Sequence, residues 1–236
     1  MPLLHQKIIR SKPFLKKLYT DFYRRLGRRC PDLAQKTCVE LGSGGGFLKE
    51  VYPSVLTSDV VPLPGVDKVF SVLEMPFGDG AVDYFLMFNV FHHVPDAGKF
   101  LGELDRCLKP GGKAVMIEPA NTLWGRFIYK NFHHEAFDPA GSWRLPKAAP
   151  LSSANAALPW IVFHRDRKIF QEDFPRLKLT EFKAHTPLKY LVSGGVSMHP
   201  LVPSCAYAAL NAFERLLSPL DPVIGMFYTI ELSKGS

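Results

Sequence analysis

The chain has 236 residues, 47% of them hydrophobic and 22% charged, with 18 Gly and 20 Pro. A chain of this length buries about 70% of its unfolded surface, so neither disulfides nor a metal is needed to hold it folded, and the composition excludes a collagen, a coiled coil and a disordered chain. The net charge of +7 is concentrated: residues 1–29 carry nine Lys and Arg against one acid, while residues 30–236 carry 20 basic and 21 acidic groups.

A basic face spread over the whole fold is therefore missing, which disfavours nucleic acid as a partner. The four cysteines, Cys30, Cys38, Cys107 and Cys205, have no CxxC spacing. They are too few and scattered for a disulfide framework and point to a reduced, cytoplasmic setting. No secretory leader is read in MPLLHQKIIRSK, which lacks a long apolar run and a small-residue cleavage site.

Residues 13–29 (PFLKKLYTDFYRRLGRR) predict an amphipathic helix, with Phe14, Leu15, Leu18, Phe22 and Leu26 at helical spacing. This gives a basic helical arm over 1–30 ahead of a domain over 31–236. Residues 37–41 predict a buried strand, 42–46 a glycine turn, 47–51 a short helix and 55–60 a second strand. The apolar run 82–89 (VDYFLMFN) predicts a central strand, 96–108 a helix, 109–112 a turn and 113–117 another strand. Strand and helix alternate, which predicts an α/β fold with a parallel sheet covered on both faces.

The second half is less regular. Residues 177–184 and 226–232 predict strands and 206–217 a helix, leaving 120–171 and 186–225 as cap regions. Tyr190 to Phe213 holds no Asp, Glu, Lys or Arg and matches a bilayer span in length. Its Gly194-Gly195, Pro200, Pro203, His199 and Asn211 argue against such a span.

The informative stretch is Glu40-Leu41-Gly42-Ser43-Gly44-Gly45-Gly46, a glycine turn between a strand and a helix. Glycine allows a tight turn and lets a ligand approach the main chain. Asp59 ends the next strand, nineteen residues after Glu40. A carboxylate there can accept hydrogen bonds from both hydroxyls of a ribose. The dinucleotide fingerprint is GxGxxG; Gly42, Gly44 and Gly46 read GxGxG instead, which disfavours a nicotinamide-dependent dehydrogenase.

With the downstream text added, the series "ELGSGGG … D … MPF … VDYFLMFNVFHHVPD … LKPGG … IEP" resembles class I S-adenosylmethionine-dependent methyltransferases of the broad small-molecule kind, similar to methyltransferase type 11. The resemblance covers residues 37–119. It implies a Rossmann-like seven-stranded, mostly parallel sheet whose last strand is antiparallel, with an insertion between the last two strands. It implies S-adenosyl-L-methionine as cofactor and S-adenosyl-L-homocysteine as product. Glu40, Gly42, Ser43, Gly44 and Gly46 would bracket the methionine part, Asp59 would take the ribose, and Val60 would pack on the adenine. Asn89 would offer its backbone carbonyl to the amino group. The family often carries an acid where this chain has Ser71, so Ser71 or the backbone at Val72 and Leu73 would make the adenine contact.

A sulfonium already activates its methyl group, so such a protein chiefly aligns the acceptor, and a base helps only a protonated acceptor. Candidate bases are His93 and His92, just past the fourth strand, where ligands bind in open parallel sheets. Adjacent side chains diverge, so one of the pair is expected to face the pocket. His133, His134, Glu118 and Trp160 are candidate acceptor contacts. No metal site is expected at His133-His134-Glu135, for want of a matching cluster at ligand spacing.

The acceptor site should lie in the cap regions. Ala148–Phe163 and Tyr190–Phe213 are both free of charge. Two readings stand side by side: an apolar cap over the pocket, or contact with an anionic membrane supported by the basic arm. The function so read is methyl transfer to a small or lipid-linked acceptor, at oxygen. RNA methylation and a non-catalytic scaffold of the same fold are the alternatives.

Overall fold

The computed structural model describes residues 2–146 and 154–235. The charge-free segment from Ala148 therefore lies in part outside the described residues. Seven strands form one sheet: β1 (Cys38–Leu41), β2 (Leu56–Asp59), β3 (Lys68–Val69), β4 (Val82–Phe88), β5 (Leu108–Pro119), β6 (Leu177–His185) and β7 (Phe227–Lys234). Their order is β3-β2-β1-β4-β5-β7-β6. β7 is antiparallel to both neighbours, and the other pairings are parallel.

Side chains alternate across a strand, and here both faces are covered. One face carries Val39, Leu41, Phe85, Met87, Ala114 and Met116. Helix α4 (Ala97–Cys107) packs there through Phe100, Leu101 and Leu104. Its N-cap Asp96 accepts from the Lys99 N–H at 2.9 Å, a cap worth about 1 kcal/mol. The other face carries Cys38, Tyr84, Leu86, Val115 and Ile117.

That second face is covered by the N-terminal segment, which forms α1 (Pro2–Ser11) and α2 (Pro13–Gly27). The apolar stripe of α2 is buried, with Leu15, Leu18, Phe22 and Leu26 in the same core cluster as Val115 and Ile117. The basic arm thus shares a core with the sheet. Part of its charge is spent inside the molecule: Arg10 pairs with Glu50, Lys12 reaches the Gly195 and Met198 carbonyls, and Arg29 holds Glu181 at 2.6 Å.

After β1 comes the short α3 (Leu48–Val51), and after β5 comes α5 (Leu123–Phe132). Next are α6 (Leu158–Trp160) and α7 (Arg167–Asp173); α8 (Lys189–Val192), α9 (Tyr207–Leu216) and α10 (Asp221–Ile224) lie between β6 and β7. The uncharged 190–213 stretch is broken into these pieces, and no described helix is long and apolar enough to cross a membrane. Of the other uncharged segment, Ala156, Ala157, Leu158, Ile161, Val162 and Phe163 are buried core.

The sequence pattern misses several elements. α1, α5, the short helices α6, α7, α8 and α10 and the two-residue β3 are too short or too weakly periodic to read. β5 begins at Leu108, so the expected turn at 109–112 lies within the strand, beside a shift in the β4–β5 register.

Candidate active site

The sheet order reverses between β1 and β4, and a cleft opens beyond the carboxyl ends of those strands. The loop after β1 enters it directly. Gly42 has φ +67°, and a Cβ there would lie 2.7 Å from the Val90 side chain. A Cβ on Gly46 would meet the Tyr23 hydroxyl at 2.7 Å. Any larger residue at either position would fill the cradle. Ser43 Oγ donates to Glu40 Oε2 at 2.6 Å. The Gly44 N–H donates to Asp59 Oδ2 at 2.9 Å, and the Val61 N–H to Asp59 Oδ1 at 3.1 Å. Each Asp59 oxygen is thereby fixed with acceptor capacity to spare.

Glu40, Gly42, Ser43, Gly44, Gly46 and Asn89 all line one cavity of ≈ 160 Å³. His5, Ile9, Tyr19 and Tyr23 of the N-terminal helices close it. Sequence reasoning missed these four, although Tyr19 and Tyr23 sit one helical turn apart on the apolar face of α2. The Tyr23 hydroxyl accepts from the Phe47 N–H at 3.1 Å, which ties α2 to the glycine loop. Val60 lies beside Asp59 with 43% of its surface exposed. Ser71, Val72 and Leu73 follow β3 as an open turn, where Ser71 Oγ accepts from the Leu73 N–H at 3.2 Å.

A second cavity of ≈ 180 Å³ shares His5, Tyr19 and Asn89 with the first. His92, His93, His133, His134 and Glu135 line it, with Tyr129 of α5. The expectation that adjacent histidines diverge is corrected here. The tight turn over Phe91–His93 brings the His92 and His93 rings to a centroid separation of 4.2 Å, and both face the cavity. His133 and His134 likewise stack at 4.7 Å.

Glu118 ends β5 fully buried and acts behind the cavity wall. It accepts from the Val90 and Phe91 N–H groups at 2.8 and 2.7 Å and holds His92 Nδ1 at 2.6 Å. Trp160 lies between the two core clusters, 5.5 Å from the His164 ring, and lines neither cavity.

Burial raises the Glu40 carboxyl to about 7, opposed by the Ser43 hydroxyl and helped by the nearby Asp59 charge. Burial pulls His92 down, but Glu118 and then Glu135 outweigh it and lift the imidazole to about 9. Glu135 resists ionisation through burial, yet its contacts with His92 and His93 hold it well below the usual carboxylate range. His92 is thus a charged tie between two carboxylates in this state, and the less buried His93 is the better placed of the pair to take a proton.

A nucleoside sulfonium fits the residues around the glycine loop. The loop leaves room because Gly42 and Gly46 lack a Cβ, the Asp59 oxygens keep lone pairs, and Val60 is exposed for a planar ring. Asn89 Oδ1 is buried in the cleft with no hydrogen-bond partner among the described residues, an acceptor waiting for a donor. Asn89 also takes φ +54°, a left-handed conformation that Asn tolerates better than most residues.

Comparisons with known proteins agree. Residues 64–116 match the methyltransferase domain family model. A protein of Mycolicibacterium smegmatis, described as a probable S-adenosylmethionine-dependent methyltransferase, is 30% identical over 109 residues, which is 41% of this chain and 42% of that one. The chain thus spans less than half the length of this curated relative. Among solved structures, an S-adenosylmethionine-dependent methyltransferase from Mesorhizobium loti aligns over 89% of this chain and 96% of its own, with a TM-score of 0.52 and 13% identity. Geranyl diphosphate C-methyltransferase from Streptomyces coelicolor, crystallised with Mg2+, geranyl diphosphate and S-adenosyl-L-homocysteine, aligns over 98% of this chain and 84% of its own, with a TM-score of 0.51 and 16% identity. Strand order and the aligned structures give the chain the fold of the class I S-adenosylmethionine-dependent methyltransferases, and the motif series from Glu40 to Pro119 and the matched segment 64–116 are similar to that family.

Proposed function

We propose that the protein transfers the methyl group of S-adenosyl-L-methionine to an oxygen of a small or lipid-linked acceptor. The observation that carries this reading is the junction of two cavities. One is built by the glycine loop, the other by histidines, and they meet at His5, Tyr19 and Asn89. A donor in the first and an acceptor in the second would touch at that junction.

Bound there, the cofactor supplies an electrophilic methyl group. The chain's own residues do the rest. Asp59 and the glycine loop orient the nucleoside and the methionine part, and Val60 with the Ser71–Leu73 turn flanks the adenine. Tyr19 and Tyr23, at 8% and 1% exposure, exclude water. His93, with Glu135 Oε1 3.4 Å from its Nε2, is the group set to accept the proton of an acceptor hydroxyl. His92 and its anchor Glu118 hold that wall in position. S-adenosylhomocysteine is expected to bind the purified protein in a calorimetric titration and NADH is not. NADH binding with no response to S-adenosylhomocysteine would refute the methyl-donor assignment.

An amphipathic acceptor is supported by the surface beside the second cavity. On α5, Leu123, Phe127 and Phe132 are 72%, 50% and 68% exposed, and the Phe127 ring contacts Trp124 and Phe132 at 5.9 and 5.8 Å. The same helix carries Tyr129 into the cavity and leads to His133. An exposed aromatic cluster of this kind suits a lipid tail or a membrane interface. The protein is expected to float with anionic liposomes at low salt, and Phe127→Ser with Phe132→Ser to stay in solution. Wild-type protein that stays in solution would restrict the acceptor to soluble molecules.

A further inference from the structure

The residues that converge on Glu135 come from distant parts of the chain, and their geometry is that of ligands. His92 Nε2 lies 3.2 Å from Glu135 Oε2, and His93 Nε2 lies 3.4 Å from Glu135 Oε1. Ligand atoms about 2.0–2.1 Å from a tetrahedral zinc ion are about 3.3 Å from one another, so these separations match the edges of such a site. One atom from each of the three residues fits within a 4.8 Å cluster. An ordinary ion pair would need only one imidazole, and here two adjacent rings, tilted 39° to each other, turn the same nitrogen to one carboxylate.

A second observation is independent of those distances. His92 Nδ1 is held at 2.6 Å by Glu118, which is fully buried and itself fixed by the Val90 and Phe91 N–H groups. Metal-binding histidines almost always give their second nitrogen to a carboxylate or carbonyl in this way, which fixes the tautomer and presents the other nitrogen to the ion. Glu118 thus does for His92 what an outer carboxylate does in a metal site. His133 Nδ1 and His134 Nε2 stand farther off, at 3.7 and 3.8 Å from Glu135.

We propose that His92 Nε2, His93 Nε2 and the Glu135 carboxylate form a binding site for a divalent transition-metal ion of the zinc class. Two imidazoles and one carboxylate suit zinc, cobalt or iron(II) and poorly suit magnesium, which takes oxygen ligands. The proposal departs from the expectation of no metal at His133-His134-Glu135, since His92 and His93, not a ligand spacing around 133–135, complete the set. Three protein ligands leave a position open toward the cavity. That position would take an oxygen of a small molecule, and the cavity joins the glycine-loop cavity at Asn89. The site itself needs no methyl donor. Only its link to the acceptor rests on the proposed function, and in that case the metal would replace His93 as the group that favours the deprotonated acceptor oxygen.

The test uses the full chain, freed of metal by a chelator and titrated with Co2+ in the absence of any methyl donor. One equivalent per chain is expected, with visible absorption of a nitrogen- and oxygen-bound cobalt that Zn2+ abolishes. His93→Ala and Glu135→Gln are expected to lose at least the 10–100-fold in affinity typical of removing even an outer-shell partner. Glu118→Gln is expected to retain the site but bind about 10–100-fold more weakly. His199→Ala, at an exposed position remote in sequence, serves as control and should bind as wild type. Circular dichroism on each variant separates lost folding from lost ligation, and His93, on the cavity rim, is the substitution least costly to the fold. Failure to take up one equivalent, or unchanged affinity in folded His93→Ala and Glu135→Gln proteins, overturns the proposal. Such a failure leaves S-adenosylhomocysteine binding unaffected, so the two readings fail separately.

Discussion

Asp59→Ala is expected to weaken S-adenosylhomocysteine binding by about 100-fold or more, since a carboxylate accepting two ribose hydroxyls contributes about 1.5–3 kcal/mol per charged hydrogen bond. The carboxylate has a second duty. It accepts from the Gly44 N–H at 2.9 Å and from the Val61 N–H at 3.1 Å, so it also shapes the loop it serves. The alanine variant is therefore expected to lose stability as well, by about 1–3 kcal/mol for the donors left without a partner. Asp59→Asn separates the two effects. Its amide oxygen can keep one backbone donor, while its NH2 cannot accept from a ribose. It should melt nearer to wild type and still bind poorly. Wild-type affinity in Asp59→Asn would remove the ribose assignment and leave Asp59 as a loop brace.

The second large effect concerns Glu40 and pH. Burial lifts its carboxyl to about 7, with the Ser43 hydroxyl opposing and the Asp59 charge assisting. In the unfolded chain the same group titrates near 4.3. Across the window from there to about 7 the folded protein holds a proton that the unfolded chain has released. The folded state therefore loses relative stability as pH rises through that window, by up to roughly 4 kcal/mol above it. Glu40→Gln carries no such penalty. The ligand-free variant should melt close to wild type near pH 5 and progressively above it toward pH 8. Other titrating groups are common to both proteins and cancel in the difference.

The same charge should work the other way for the ligand. An ionised Glu40 favours the ammonium of the methionine part, so wild-type affinity for S-adenosylhomocysteine should rise with pH up to about 7 and then level. In Glu40→Gln it should be weaker and lack that rise. Melting temperatures of the two proteins that run parallel from pH 5 to 8 would show that Glu40 is not a strained carboxylate.

The buried strain at Glu40, then, is a cost in stability located where the ligand's charge would relieve it. The histidine cavity follows a similar logic on a larger scale. The buried Glu118 and His92 and the half-buried Glu135 form a chain of charge and hydrogen bonds whose members are costly to bury alone and are satisfied together. Such a network holds the wall between the glycine-loop cavity and the exposed aromatic face of α5 in one arrangement.

What the sequence determined by itself was whatever short-range chemistry dictates. The turn at Gly42–Gly46 needs residues without Cβ atoms, and the spacing to Asp59 follows from one strand, one turn and one short helix. The apolar runs at β1, β4 and β5 announce strands covered on both faces, because no polar side is required of them. Those features carried the sheet and the glycine-loop half of the candidate site. The histidine half was decided by tertiary structure. Glu135 sits 42 residues beyond His93 in the chain, and nothing in either local stretch requires them to meet. They meet because β5 carries Glu118 behind the turn at Phe91–His93, and α5 returns the chain over it. Likewise His5, Tyr19 and Tyr23 read as parts of a basic amphipathic arm. Only the docking of α2 across the second face of the sheet, with α1 ahead of it, turns them into walls of the cleft, because burial of the apolar stripe of α2 fixes where that helix must lie.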